Sequence, residues 1–388
     1  MSKKLLVSFL SGLAILLITW AYQNYDFSFS AEDAFFKKLS LWKYKVLTAK
    51  PDRKVDMVFV NTGKDIAIVD DSLDYGSVAV SDRKKIFELI RFINLTGQQP
   101  LYTALDIQFY YRYTADPEAD SLLGAELNKM DRVLIPVVKN AEGQYKRPLF
   151  KTVYAYSDYQ TFGAGFNKFR ILNHGTMPSV PVMLEQQINR SVYRDHTFYA
   201  TCNDSLCFSA IWPTFYLKNE TVKSNKDISY ARYYNIGEVL FGMAADSVGF
   251  SQFFTNKLII IGNFEEDVHV TPVGKMSGPV LLANISLSLI NREHIVSFWL
   301  LFVLLIVFTA LSYIAWFSKM PQLKLNIKFI FSSYLIKFVR GYVSYFGCMF
   351  ALSLLAVFLF NIQIALFLPS FIFAGIEYIR QKKYRIDK

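Results

Sequence analysis

The chain has 388 residues, 53% of them hydrophobic and 19% charged, and a formal net charge of +10. That is too oily for an ordinary soluble enzyme and too polar for a protein lying wholly in a bilayer. The composition implies both membrane segments and a folded aqueous part.

Uncharged apolar runs occupy Leu5–Tyr22, Ile295–Phe317, Tyr342–Phe360 and Ile362–Ile376. A helix needs roughly 20 apolar residues to cross the hydrocarbon core. The first run, flanked by Lys3 and Lys4, has the length of a secretion signal, but Trp20 and Tyr22 crowd Ala21 and leave no small-residue cleavage site. It reads as an uncleaved anchor over residues 1–22, with residues 23–294 as an extracytoplasmic domain.

Within that domain the hydrophobic period switches repeatedly. Val55–Val60 is strand-like, and Ser81–Ile93 then places Ile86, Leu89, Ile90 and Ile93 on one helix face. Leu101–Ile107 is the next strand. Asp116-Pro117 is an N-cap followed by proline at the first helical position, with Ala119, Leu123, Leu127 and Met130 along the helix behind it. Val133–Val138 is a third strand. Strands alternating with helices at these lengths predict an α/β domain with a mostly parallel core sheet. Residues 145–250 are rich in aromatic and turn residues and predict hairpin insertions of unread topology. Lys257–Phe264 returns as a strand and Pro279–Leu289 as a helix.

Cys202 and Cys207 are separated by Asn203-Asp204-Ser205-Leu206, between strand-like runs at His196–Thr201 and Phe208–Trp212. A four-residue turn there would bring the sulfurs within bonding range in an oxidising compartment; the alternative is two thiols. Cys348 lies in an apolar run and reads as a packing residue. His174, His196 and His294 read as surface or packing histidines. No spacing matches a metal motif, and no cofactor is implied.

Beyond the domain, the expected order is a membrane helix at 295–317, a basic cytoplasmic loop at 318–340, a membrane hairpin at 341–378 turning at Asn361 and Gln363, and a basic tail at 379–388. With the anchor this makes a four-helix transmembrane region. Positive charge gathers on the segments assigned to the inside, and residues 23–294 are formally neutral. The charge therefore reflects membrane orientation and attraction to anionic lipid, not nucleic-acid binding. Lys324, Lys328, Lys337 and Arg340 alternate with apolar residues, a composition suited to an in-plane helix that contacts lipid or a partner protein.

Enzyme motifs are missing: there is no GxSxG elbow, HExxH helix or Walker loop. Gly163-Ala164-Gly165 reads as a turn. Asp65, Asp70, Asp71 and Asp74 fail as a calcium loop because Tyr75 stands where glycine is needed. A more suggestive group, Glu265, Glu266, Asp267 and His269, follows the strand that ends at Gly262. Asp106 and Asn61 end two other strands. Ligand sites in open α/β sheets form beyond the carboxyl ends of strands, so Asn61, Asp106, Asp267 and His269 are the ligand-binding candidates. The competing reading is that such residues cap turns and satisfy backbone donors.

The order of these pieces resembles the CHASE type 2 (CHASE2) domain, an extracellular sensory module of bacterial membrane receptors. DDSLDYG (70–76) with Arg83 after it, LDIQF (105–109) followed by Asp116, Asp120 and Leu123, and NKLIIIGNF (256–264) followed by Asp267, Thr271-Pro272, Gly278 and Ala283-Asn284 carry the likeness. Val78–Asp82 stands in place of the family's Pro-Trp-Pro-like approach to the arginine, and Leu282 stands where histidine often precedes Ala-Asn. The resemblance implies a multi-pass protein of the bacterial inner membrane with its large domain in the periplasm and both termini cytoplasmic. Family members commonly continue into a cytoplasmic effector. The chain ends at Lys388, so the expectation is a sensor that acts through a separate signalling or envelope protein, compatible with a homodimer. The alternative is a non-enzymatic membrane scaffold or assembly subunit that uses the outer domain for protein interaction.

Overall fold

The computed structural model describes residues 2–24, 32, 34–36, 38–39, 51–71, 76–114, 116–139, 142, 144–157, 168–172, 177–196, 199–225, 228–321, 333–360 and 362–386. The elements begin with helix α1 (Lys3–Asn24), strands β1 (Met57–Asn61), β2 (Ile66–Asp71) and β3 (Gly76–Ser81), helix α2 (Arg83–Leu95), β4 (Tyr102–Asp106), α3 (Pro117–Leu127), β5 (Val133–Val137), β6 (Val153–Tyr156) and β7 (Phe169–Arg170). They continue with α4 (Val180–Asn189), β8 (Tyr193–Asp195), β9 (Ala200–Cys202), β10 (Ser205–Cys207), β11 (Ala210–Ile211), α5 (Asn219–Lys223), β12 (Ala231–Asn235), α6 (Ile236–Ala245) and β13 (Leu258–Gly262). The last are β14 (Val268–Thr271), β15 (Gly274–Ser277), α7 (Gly278–Ile290), α8 (Phe298–Phe317), α9 (Ser333–Phe360) and α10 (Phe367–Ile386). Chain contacts divide these into two units, one of residues 37–192 and 213–292, the other of residues 1–36, 193–212 and 293–388.

The first unit is built on a six-stranded sheet in the order β12-β1-β13-β4-β5-β6, in which every pairing is parallel. The mostly parallel core sheet expected from the alternating pattern is present. One face of the sheet packs on α2, α3 and α6 around Val60, Leu105, Ile135 and Ile261. The helical stripe read from the sequence is the buried one: Ile86, Leu89 and Ile90 are fully enclosed. Asp82 caps α2 by accepting from the backbone of Lys84 and Lys85. Asp116 stands at the N-cap position of α3 but makes no side-chain cap bond; Pro117 opens that helix, and Met130 lies beyond its end.

Two features fall outside the sequence reading. The two ends of the acidic stretch at 70–76 lie in a hairpin, since β2 and β3 pair antiparallel from Ile66–Ser81 to Asp71–Gly76. The closing strand at 258–262 runs between β1 and β4, so the chain moves outward from β4 in one direction and returns to fill a central position last.

In the second unit α1, α8 and residues Ile336–Phe360 of α9 are long and apolar enough to cross a membrane, three of the four expected spans. Helix α10 is apolar in its first half and carries Glu377, Arg380, Lys382, Lys383 and Arg385 in its second. Helices α1 and α8 pack closely at Gly12, where a Cβ would stand 2.7 Å from the Thr309 nitrogen. Trp316 Nε1 donates to Ser11 Oγ at 2.9 Å in the same pair. Helix α9 begins at Ser333 and passes unbroken through the boundary expected at 341. Lys337 and Arg340 thus occupy its first turns. Lys324 and Lys328 lie outside the described residues, as do His174, Asp74 and Gly163–Gly165.

The expected disulfide is not formed. Cys202 and Cys207 are two separate buried thiols. The turn between β9 and β10 has two residues, Asn203 and Asp204 at φ 48° and 62°, and it pairs Cys202 with Ser205 and Cys207 with Ala200. The cysteines are therefore diagonal neighbours on one face, a spacing of about 7–8 Å, beyond the reach of a disulfide. His294 is fully buried and packs in this unit against Tyr193, whose hydroxyl lies 2.9 Å from His294 Nε2. His196 stacks on Tyr199.

Candidate ligand site at the carboxyl edge of the sheet

Parallel strands deliver their last residues to one edge, and here that edge carries Asn61, Asn235, Gly262, Asp106, Val137 and Tyr156. Next to it lies an open cavity of about 540 Å³, lined by Asp106, Ile107, Gln108 and Tyr111 after β4, by Pro136, Val138 and Ser157 near the ends of β5 and β6, and by Asn263, Glu266, Asp267 and His269 after β13. The β2–β3 hairpin closes one side with Ile66 and the run Val78–Ser81.

Three of the four ligand candidates meet in this cavity. Asp106 is half-buried as a residue, while its Oδ2 atom has no exposed surface and no hydrogen-bond partner. Burial, reinforced by the nearby Asp267 charge and opposed by His269, lifts the Asp106 carboxyl to about 8. Asp267 Oδ1 lies 3.0 Å from His269 Nε2. That hydrogen bond raises the imidazole above its usual range against the opposing effect of burial.

Two glycines allow this crowding. A Cβ on Gly262 would stand 2.7 Å from Pro279 Cγ and 3.2 Å from the Asp106 Cβ, and a Cβ on Gly278 would overlap Asp267 Oδ2. Gly278 and Pro279 open α7, so Asp267 sits against a helix N-terminus, where negative charge is favoured.

The fourth candidate, Asn61, is fully buried and fully used in the fold. Its Nδ2 donates to Asn235 Oδ1 at 3.1 Å, while its Oδ1 accepts from the Gly63 and Phe264 backbone at 2.8 and 3.1 Å. It ties the ends of three adjacent strands and does not line the cavity. Glu265 points away to Lys223 at 3.0 Å. Asn263 and Glu266 do line the site, with Asn263 Oδ1 accepting from the Glu265 and Glu266 backbone.

Arg83 contributes without touching the cavity. It is completely buried, its Nη1 donates to Asp120 Oδ1 at 2.6 Å, its Nη2 donates to the Tyr111 carbonyl at 2.9 Å, and its guanidinium lies 4.8 Å from the Phe109 ring. Asp120 Oδ2 accepts from the Tyr113 backbone at 2.7 Å. The pair fixes the loop after β4 that bears Ile107, Gln108 and Tyr111. Desolvation lowers the guanidinium pKa and Asp120 offsets part of that shift.

Residues 10–316 match the CHASE2 domain. The chain belongs to the CHASE2 domain family. The match begins inside α1 and ends within α8, so in sequence it takes in most of a membrane-length helix before the α/β unit and of one after it. CHASE2 domains are extracellular sensory modules. No curated protein and no solved structure matches the chain.

Much of the CHASE2 resemblance is construction. Arg83 and Asp120 form the buried pair, and Asn284 Oδ1 accepts from the Leu217 backbone while its Nδ2 donates to the Leu217 carbonyl. Gly278 makes room for Asp267. Among the described residues of the quoted motifs, Asp106, Ile107, Gln108, Asn263 and Asp267 line the cavity. The sequence reading passed over Gln108, Tyr111, Ser157 and Asn263 as ligand candidates. The available signal was positional, since Asn263 directly follows β13 and Ser157 directly follows β6.

Proposed function

We propose that this protein is a membrane-anchored extracytoplasmic sensor that binds a small polar ligand at the carboxyl edge of its sheet and signals through a separate effector protein. The observation that carries the reading is Asp106 Oδ2, a buried acceptor without a partner at a cavity of ligand size. A buried polar atom left unpaired costs stability, roughly 1–3 kcal/mol, and a ligand whose binding uncovers Oδ2 removes that cost.

In this reading α10 is the fourth crossing, both termini lie in the cytoplasm of a bacterial inner membrane, and the cavity binds without catalysis. Lys337 and Arg340, at the inner end of α9, contact lipid headgroups or the effector. A scaffold would instead engage envelope proteins through side chains such as Phe241 and Val248, which are 77% and 81% exposed.

The test is a thermal-shift screen of the full chain in lipid nanodiscs against amines, sugars, amino acids, carboxylates and peptidoglycan fragments. A ligand that binds the folded state raises the melting temperature. The expected result is a saturable rise with at least one class that is lost in Asp106→Asn. No rise with any class would contradict the sensor and support the scaffold.

A further inference from the structure

The site proposed above also restricts the chemistry of its occupant. The lining carries three acids, Asp106, Glu266 and Asp267. Among the described lining residues there is no lysine or arginine. The one cationic group, His269, is engaged by Asp267. Other lining residues are apolar, among them Val78, Val80, Pro136 and Val138. Asp106 Oδ2 is enclosed and has no hydrogen-bond partner.

These observations sort the candidate ligands. An anionic ligand would meet Glu266 with the one cationic lining group, His269, already paired to Asp267, and it would oppose ionisation of Asp106. A bare metal ion is a poor match, because no grouping of three or more His, Cys, Asp or Glu suited to a metal occurs among the described residues. A volume near 540 Å³ with apolar lining residues is also far larger than an ion needs. A neutral polyol would satisfy Asp106 but would leave the apolar lining bare and gain nothing from the accumulated negative charge. A protonated amine on an apolar body matches both kinds of lining residue.

We propose that the carboxyl-edge cavity is a site for a small organic cation, an amine or quaternary ammonium with an apolar portion, whose charged head lies against Asp106 and Asp267 and whose body lies against the β2–β3 hairpin and the ends of β5 and β6. The inference rests on the sensor reading and narrows it. Binding places a positive charge beside Asp106 and favours its ionised form, so below the apo titration point each cation bound releases up to one proton. Glu266, Asp267, His269 and Tyr111 are the other titratable groups described on the cavity wall.

The experiment is calorimetric titration of the full chain in nanodiscs with phenethylamine, putrescine and choline, using phenethyl alcohol and phenylacetate as neutral and anionic counterparts of the first. At least one cation is expected to bind saturably. Phenethyl alcohol is expected to bind at least tenfold more weakly than phenethylamine, and phenylacetate not at all. Cation affinity should rise by up to tenfold per pH unit between pH 6 and 8. Asp106→Asn should weaken the cation at least tenfold and flatten that slope, whereas Lys223→Ala, which removes a cation paired to Glu265 outside the cavity, should leave it unchanged. Equal binding of amine and alcohol, preference for the carboxylate, or cation binding untouched by Asp106→Asn would overturn the inference. If no cation binds while another class shifts the melting temperature through Asp106, the cation assignment fails and the sensor reading stands. If no class binds, both fail.

Discussion

The α/β unit contains two acid-bearing clusters that differ in whether the carboxylate is paired. Around Arg83 each carboxylate oxygen of Asp120 has a donor, and the guanidinium has a carboxylate, a carbonyl and an aromatic ring. At the carboxyl edge Asp106 has an enclosed oxygen with no donor. Both clusters are far enough from water for charge to be costly; in the first the carboxylate is paired, although Arg83 Nε is itself buried without a hydrogen-bond partner, and in the second a carboxyl oxygen is unpaired. A paired carboxylate stabilises the fold and an unpaired buried one costs it stability, so substitutions at the two acids should act in opposite directions.

The largest effect should come from breaking the Arg83–Asp120 pair. Arg83→Ala leaves Asp120 without its counter-ion and should destabilise the protein by about 3–5 kcal/mol. The melting temperature should fall by roughly 10 °C. Replacing both partners, Arg83→Met with Asp120→Leu, should recover most of that loss. A double variant as unstable as the single one would show that the loop after β4 depends on the hydrogen bonds themselves and not on charge pairing.

Next comes crowding at the edge. In Gly262→Ala the new methyl would stand 2.7 Å from Pro279 Cγ and press on Asp106. Overpacking of this kind should cost about 1–3 kcal/mol, read in a urea melt.

The unpaired acid should respond with a gain. The folded-state Asp106 titrates near 8, above its unfolded value of 3.8. The folded protein therefore holds a proton that the unfolded chain has lost, and stability from this group falls as pH rises between those values. His269 is also raised, so its contribution is likewise present at low pH and lost as pH rises through its folded-state value. Asp106→Asn should raise the melting temperature at pH 8 by roughly 3–6 °C and by much less at pH 5. A uniform loss at both pH values would show that the carboxylate is satisfied in the fold. The smallest effect concerns Cys202 and Cys207: unfolding without reductant should expose both to alkylation, and reductant should leave the melting temperature unchanged.

The helical face of Ile86, Leu89, Ile90 and Ile93 and the strands ending at Asp106 and Gly262 were legible because periodicity and strand-end chemistry are local. The β2–β3 hairpin is not legible, since nothing local in its Ile-Ala-Ile-Val and Ser-Val-Ala-Val runs marks them as pairing partners. The disulfide failed on a detail below the resolution of spacing: two residues with positive φ set a tighter turn than four intervening residues suggest. Asn61 and Asp106 look alike in sequence, each a polar residue ending a strand. What separates them is the neighbouring strand end: Asn235 and the Phe264 backbone answer Asn61, whereas Oδ2 of Asp106 receives no answering donor. That distinction depends on strand order, which local pattern does not carry.

The account turns on Asp106 being a neutral acid at an unfilled site. Infrared difference spectra of wild type minus Asp106→Asn, recorded on the full chain in nanodiscs from pH 5 to pH 9, would read this directly from the carbonyl stretch of a protonated carboxylic acid. The account predicts a band at pH 6 that fades toward pH 9 and disappears at pH 6 when a bound cation takes the place of the proton. No such band at pH 6 would mean that Asp106 is already ionised and paired, and the carboxyl edge would then be a finished piece of the fold.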